Sequence, residues 1–131
     1  MNSNSSEAIT RDVRVRVAPR FIPERSDPAR REWFFVYTVD IANLGTQPVT
    51  LMSRRWVITD AMGEVREVEG PGVVGEQPKL EPGQSFRYTS ACPLPTSLGT
   101  MHGSYRMIRD DGVGFDAEIG RFTLVDPSTL N

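Results

Sequence analysis

A glycine-rich segment is the part of this sequence that comes closest to a known chemical motif. Gly70, Gly72 and Gly75 fit the pattern Gly-x-Gly-x-x-Gly. In dinucleotide-binding domains these glycines lie between a strand and a helix, where backbone N–H groups hold a pyrophosphate. Pro78 and Pro82 follow closely and would stop such a helix, because proline lacks the N–H group and clashes with the preceding turn. The sequence therefore argues against a dinucleotide-binding helix.

Two interpretations of this segment stay open. The glycines form a tight connection between two sheets, which we favour, or their consecutive N–H groups form an anion-binding nest. Three glycines within six residues are entropically costly on folding, and we therefore predict that the segment belongs to a functional surface. The candidate residues for binding a partner or ligand are Gly70, Gly72, Val73, Val74, Gly75, Glu76 and Gln77. Arg54 and Arg55 are candidate anion contacts, and the two valines either anchor a partner or plug one end of the fold.

Residues that could perform catalysis or hold a metal are scarce. The single histidine, His102, is out of phase with the apolar face of its strand, and we expect it at the surface. Cys92 precedes a proline without an activating neighbour and is expected to be a half-buried structural cysteine. One histidine and one cysteine cannot form a four-ligand zinc site. Asp110, Asp111 and Asp116 are interpreted as a solvated turn and not as a magnesium site. We predict no catalytic residues, metal, cofactor or enzymatic activity.

Composition restricts the class of partner and the compartment. The chain has 131 residues and a net charge of −2, which argues against a nucleic-acid binder because phosphates require a basic surface. A single cysteine forms no intramolecular disulfide and favours a reducing compartment. The sequence shows neither an apolar run of membrane-spanning length nor a secretory signal. We expect a cytoplasmic protein that binds neither nucleic acid nor membranes.

Alternation of apolar and polar residues predicts strands and no helix. The predicted strands cover residues 13–17, 32–43, 49–59 with an interruption near Ser53, 64–69, 84–90, 101–107 and 115–125. We predict a flexible tail over residues 1–10 and one domain over 11–131. Prolines predict a long connection from Pro19 to Arg31 and a strand break at 92–95. An apolar phase shift predicts a β-bulge at Gly120. The fold class is all-β, a sandwich of two antiparallel sheets with seven or eight strands.

The order and spacing of six segments resemble the bacterial ApaG family. They are Tyr37–Gly45, Arg55–Thr59, Gly70–Pro78, Leu80–Gly83, Tyr88–Ser90 and Gly99–Met107. The resemblance implies an immunoglobulin- or fibronectin-III-like sandwich, which larger eukaryotic proteins use as an interaction module. It also implies an indirect association with cobalt and magnesium efflux, and a gene beside that of a diadenosine-tetraphosphate hydrolase. Many members of that family carry histidine or tyrosine at the position of Arg55; if this position contacts a ligand, arginine would favour an anion more strongly.

Two functions are compatible with these observations. The first is a binding module that recognises a protein partner, in line with the sandwich and the missing catalytic set. The second is a small-molecule sensor that binds pyrophosphate or a (di)nucleotide at the glycine-rich segment, beside Arg54 or Arg55. An enzyme ranks third.

Overall fold

The computed structural model describes residues 4–130, which form two packed antiparallel β-sheets. The strands within this range are β1 (Ser6–Thr10), β2 (Val13–Phe21), β3 (Trp33–Asn43), β4 (Val49–Asp60), β5 (Val65–Pro71), β6 (Lys79–Leu80), β7 (Ser85–Leu94), β8 (Leu98–Arg109) and β9 (Gly114–Val125). Short 3-10 turns occur at Pro23–Arg25, Pro28–Arg30 and Pro127–Thr129. The predicted all-β, immunoglobulin- or fibronectin-III-like sandwich is confirmed, with nine strands instead of seven or eight.

The two sheets bury the apolar side chains that alternate along their strands. One sheet has the order β1-β2-β3-β7 and the other β5-β4-β8-β9, with β6 pairing with β4. Trp56 occupies the middle of the core, where its ring packs edge-on against Tyr37, Tyr105 and Phe122 at centroid distances of 5.2, 6.2 and 5.9 Å. Edge-to-face contacts of this kind stabilise a core beyond the area that they bury.

Two β-bulges adjust the phase of the second sheet. Met101 pairs with Phe122 and Gly103 pairs with Ile119, so that two residues of β9 lie opposite His102 alone. This confirms the bulge predicted at Gly120. On β4, pairing with β8 shifts between Leu51 and Ser53. The interruption predicted near Ser53 is therefore a bulge within a continuous strand.

The predicted flexible tail was wrong for residues 6–10, which form β1. Ser6 pairs with Val17 and Thr10 with Val13 along β2. The Glu118 N–H group donates to Thr10 Oγ1 at 3.0 Å, which places β1 against β9 in the other sheet. Backbone pairing orders this polar segment, and composition gives no sign of such pairing. Residues 1–3 lie outside the described residues.

The two strand ends predicted at prolines were also wrong, because both prolines lie at positions whose N–H group is not needed. Ile22 N–H donates to Phe34 O at 2.9 Å. Hydrogen-bonded and non-hydrogen-bonded pairs alternate along an antiparallel ladder, so the nitrogen of Pro19, three residues earlier, points away from β3. β1 does not reach that position, since its pairing ends at Val17. Pro93 lies on β7, an edge strand, in the phase that points away from β3. Proline is tolerated at edge positions of this kind.

Candidate functional site

The glycine-rich segment forms a tight β-hairpin at the end of β5. Val73 and Glu76 exchange two backbone hydrogen bonds of 2.8 Å. The two residues between them, Val74 and Gly75, have φ angles of 42° and 81°. Positive φ at both central residues is characteristic of a type I′ turn. The segment is therefore a tight, ordered turn, which we call the tip hairpin (residues 72–77). It connects β5 to β6, which both pair with β4, and so the predicted connection between two sheets was wrong.

The two valines of the tip hairpin have opposite environments. Val73 is completely buried and belongs to the hydrophobic core. Val74 is 56% exposed. The sequence left open whether the valines plug one end of the fold or anchor a partner. Val73 fills the end of the fold, and Val74 has the exposure that an anchor for a partner needs. Val74 also adopts a left-handed conformation that β-branched residues avoid.

Gly72 is the position of the hairpin where a side chain is least tolerated. Its φ is +57°, and a Cβ atom at this position would lie 2.1 Å from the carbonyl oxygen of Glu76. Gly75 has a positive φ as well, but a Cβ there would meet no atom within 4 Å. A Cβ at Gly70 would lie 2.8 Å from Nη2 of Arg54, the end of a flexible side chain.

Two side chains attach the tip hairpin to β4. Arg54 Nη1 donates to the carbonyl oxygens of Pro71 and Gly72 at 2.9 and 3.0 Å. Gln77 Nε2 donates to Met52 O at 2.9 Å. Arg54 pairs with Tyr105, whose side chain is buried, so the arginine projects from the inner face of its sheet. Arg54 thus acts as a brace for the hairpin.

The side chain of Arg55 points to the sheet face opposite that of Arg54, because neighbouring residues of a strand alternate between faces. Its guanidinium lies on the outer face, where it forms ion pairs with Glu67 and, at 3.5 Å, with Glu69. It borders a shallow groove of about 450 Å³. The groove is lined by Ser53, Arg54, Arg55, Glu69, Gly70, Ser104, Arg106 and Asp116. Both arginines proposed as anion contacts thus border one groove, but their guanidinium groups have different partners, hairpin carbonyls for Arg54 and glutamates for Arg55.

Three of the backbone donors considered for an anion nest already have acceptors within the protein. Gly72 N–H donates to Met52 O at 2.9 Å, and the N–H groups of Val73 and Glu76 bond each other's carbonyls. A nest requires successive N–H groups that point at a common ligand. The hairpin hydrogen bonds direct these three groups into the protein.

A buried tyrosine cluster beside Arg54 was not singled out from the sequence. The hydroxyl groups of Tyr88 and Tyr105 are hydrogen-bonded to each other between the two sheets. Burial raises the pKa of both phenols far above the ordinary value. Burial also raises the pKa of Tyr37, against the opposing effect of a hydrogen bond with Ser90. These phenols stay protonated at neutral pH, and only the period-two phase of their strands could have indicated their convergence.

The single cysteine and the single histidine lie apart. Cys92 is 2% exposed, more buried than predicted. Burial raises the pKa of its thiol, whereas Arg66, with Nη2 at 3.9 Å from Sγ, lowers it. His102 pairs with Val57 on the outer face and is half-buried, in agreement with its predicted phase.

The three aspartates considered for magnesium do not converge. Asp110 forms an ion pair with Lys79 at 3.2 Å, and Asp111 pairs with Arg109 at 3.5 Å. Asp116 lies 3.4 Å from Arg106 on the outer sheet face. Within residues 4–130, no group of three or more His, Cys, Asp or Glu side chains is arranged to hold a metal ion. The same range contains no helix of the length and apolar character that a membrane crossing requires.

Comparison with known proteins identifies close relatives. A family model described as the ApaG domain matches residues 23–109. "Protein ApaG" of Anaeromyxobacter dehalogenans is 56% identical over 126 residues, which is 96% of this chain and 99% of the relative. The Bordetella pertussis protein of the same name is 49% identical over 120 residues, 92% of each chain. A crystal structure of a putative ApaA protein from Bordetella pertussis superposes with a TM-score of 0.88 and covers 90% of this chain and 96% of its own, at 49% identity.

Proposed function

Since this chain belongs to the ApaG family, we propose that it is a non-enzymatic binding module that recognises a protein partner. The proposed recognition surface consists of β5 and the tip hairpin (residues 65–77). Any association with cobalt or magnesium tolerance would then be indirect, through the partner. The observation that carries this proposal is the conformation and exposure of Val74.

Val74 is a poor choice for the turn that it occupies. A left-handed conformation costs an L-residue about 1–2 kcal/mol, and Asn or Gly would occupy it with less strain. Its side chain is 56% exposed, so burial in the chain's own core offsets little of that cost. Strained residues that the fold does not require are concentrated at functional sites. An exposed apolar tip on a braced hairpin has the properties of an anchor for a partner.

Other exposed apolar side chains lie along the segment that leads to this anchor. Ten large apolar residues among 4–130 are exposed, and four of them lie between residues 62 and 74. They are Met62, Val65, Val68 and Val74. Val65 and Val68 project from opposite faces of β5, and Met62 lies at the end of β5 remote from Val74, so the segment offers separate apolar contacts along its length.

The alternative function, a sensor for pyrophosphate or a (di)nucleotide, has less support. Arg54 donates to two carbonyls of the hairpin, and Arg55 is paired with two glutamates. The N–H groups of Gly72, Val73 and Glu76 have acceptors within the protein. An anion would have to displace these contacts, whereas a protein partner would not.

The test is affinity capture from cytoplasmic extract of the source organism, the compartment that we propose for this protein. Wild type, Val74→Asn and Glu76→Arg are immobilised in parallel, with and without diadenosine tetraphosphate. Val113→Asn is the matched control, because Val113 is an exposed valine beside the turn between β8 and β9. We expect Glu76→Arg to keep its melting temperature, Val74→Asn to keep or raise it, and both variants to lose the captured partner. The control should capture it as wild type does.

Three outcomes would contradict this proposal. Equal capture by Val74→Asn and Val113→Asn would show that the tip is not part of the interface. A partner that binds only with diadenosine tetraphosphate would favour the sensor. Hydrolysis of a nucleoside polyphosphate by pure protein, lost in Gly72→Ala, would assign an enzyme.

A further inference from the structure

We propose that the free edge of β5 binds an extended, basic segment of the partner by β-strand addition. This inference rests on the proposed function and specifies the chemistry of the partner. In β-strand addition the backbone of a sheet edge supplies the hydrogen bonds, and alternate side chains supply selectivity.

The hydrogen bonds at both ends of β5 reveal which backbone groups face outward. Asp60 N–H donates to Glu64 O at 3.0 Å, and Gly72 N–H donates to Met52 O at 2.9 Å. Both pairs lie on the register that joins β4 to β5, and hydrogen-bonded pairs alternate along an antiparallel ladder. The residues that bond β4 are therefore Arg66, Val68 and Gly70. The residues whose N–H and C=O groups point to the free edge are Val65, Glu67 and Glu69.

Pro71 is consistent with this assignment. It lies on β5 in register with Ser53, in the outward phase where a missing N–H group removes no bond to β4. The outward row thus ends at a residue that cannot donate, beside the tip hairpin. A strand added along β5 would have its backbone contacts between residues 65 and 69.

The free edge of β5 differs from the other sheet edges. None of its seven residues is buried. β9, at the opposite edge of the same sheet, is approached by β1. No strand among residues 4–130 pairs with the outer edge of β7 either, but Tyr88, Cys92 and Leu94 of β7 are buried. On β5, Val65 and Val68 remain 62% and 37% exposed on opposite faces of the strand, so an added strand would find an apolar contact on each face.

The charges along β5 favour a basic partner. Glu67 and Glu69 project from the same face, and their side chains are 55% and 72% exposed. Lysine or arginine at alternate positions of an added strand would lie opposite them, and opposite charges across a ladder are favourable. Arg55 on β4 forms ion pairs with both glutamates from the side away from the edge, so the lysines of an added strand would share these carboxylates with it.

The same charges disfavour pairing with a second copy of this chain. Antiparallel self-pairing centred on Val68 places Glu67 opposite Glu69 on both sides of the centre. Centring it on Glu67 or on Arg66 places that residue opposite itself. Like charges directly opposite each other destabilise a ladder, and charged edges of this type prevent sheet-to-sheet aggregation.

Two synthetic peptides serve as probes. One is as long as β5, capped at both ends, and alternates lysine with valine; in the other, glutamate replaces each lysine. Amide hydrogen exchange is followed by NMR on the full-length protein. We expect the lysine peptide to slow exchange at Val65, Glu67 and Glu69. The glutamate peptide should leave exchange at these amides unchanged. Equal protection by both peptides, or none by either, would overturn the proposal.

Variants of β5 and β7 distinguish binding at the edge of β5 from a general effect on the fold. Glu67→Pro removes an outward N–H group and one carboxylate but no backbone bond to β4, and it should weaken the lysine peptide about tenfold or more. Ala91→Pro does the same on the edge of β7 and should leave binding unchanged. Glu67→Lys with Glu69→Lys keeps every N–H group and should reverse the preference toward the glutamate peptide. Unchanged binding by Glu67→Pro, or an unreversed preference, contradicts the proposal. So does a homodimer of the wild type that Glu67→Pro dissociates.

These results are distinguishable from failure of the proposed function. If Val74→Asn loses the cellular partner but neither peptide protects β5, the binding module stands and strand addition is wrong. If both tip variants retain the partner, the tip is not the recognition site, and the peptide result still decides whether the edge of β5 binds a basic strand.

Discussion

β5 and β9 are the two edge strands of one sheet, and they have opposite relations to the rest of the molecule. β9 buries five apolar side chains, and β1 packs against it. β5 buries none, and no strand among residues 4–130 pairs with its outer edge. The buried residues of β9 are Phe115, Ala117, Ile119, Phe122 and Leu124.

This difference assigns the two strands different roles: β9 contributes to the stability of the fold, and β5 is available for recognition. Burial of apolar surface is the main favourable contribution to folding, and β9 provides it along its whole length. β5 is ordered by backbone pairing with β4, and the hairpin that follows it is held by Arg54 and by the buried Val73. A strand with little role in burial is available to bind a partner without disturbing the core.

The largest expected effect comes from replacing one apolar residue of each strand with alanine. Leu124→Ala on β9 should lower the free energy of unfolding by about 2–5 kcal/mol, because it leaves a cavity in the core. Val68→Ala on β5 should lower it by less than about 1 kcal/mol, since Val68 is already 37% exposed. Urea denaturation measures both. Similar losses for the two variants would remove the contrast between the strands.

Within the tip hairpin, two glycines with positive φ should differ. Gly72→Ala should be destabilising by about 2 kcal/mol or more, because a left-handed alanine also collides with the Glu76 carbonyl. Gly75→Ala has open space and should be destabilising by about 1 kcal/mol. Thermal unfolding of the pair checks this. Equal values would mean that the backbone around Gly72 can move apart.

The two neighbouring arginines provide a third pair. Arg54→Met should be destabilising by about 1–3 kcal/mol and speed amide exchange in residues 72–77, because two carbonyls lose a charged donor. Arg55→Met should change stability by about 0.5 kcal/mol or less, since exposed ion pairs contribute little. Unchanged exchange in the Arg54 variant would show that Val73 and Gln77 hold the hairpin by themselves.

The smallest effect should have the opposite sign. Val74→Asn should raise the free energy of unfolding by up to about 1 kcal/mol, because asparagine tolerates the left-handed conformation and Val74 contributes little burial. The melting temperature is compared with that of Val113→Asn, which changes an exposed valine outside the tip hairpin. A loss of stability in the Val74 variant would assign its side chain to the fold instead of to a partner.

Strand positions that depend on local alternation were predictable, and those that depend on a neighbour were not. The phase shift at Gly120 was visible in the apolar pattern, and the structure has the bulge there. Pro19 and Pro93 seemed to end strands, yet both strands continue because the missing N–H groups face away from a partner. β1 has no apolar pattern that could have revealed its pairing with β2.

The candidate site shows the same limit. The glycine pattern located the hairpin, and positive φ at Gly72 and Gly75 agrees with the conformational freedom that their types suggest. The sequence grouped Arg54 with Arg55, although alternation along a strand places them on opposite faces. It also left the two valines undecided, since only the closure of the hairpin determines which one enters the core.

By itself, the sequence determined the all-β class, most of the strands and the position of the glycine turn. These features depend on side-chain periodicity and on local backbone preferences, which the chain carries in its linear order. Tertiary structure alone decided which strand edge stayed open, which arginine braced the hairpin, and which valine remained exposed. Each of these depends on how distant strands pair, because an N–H group or side chain becomes free only when no neighbour occupies the space beside it.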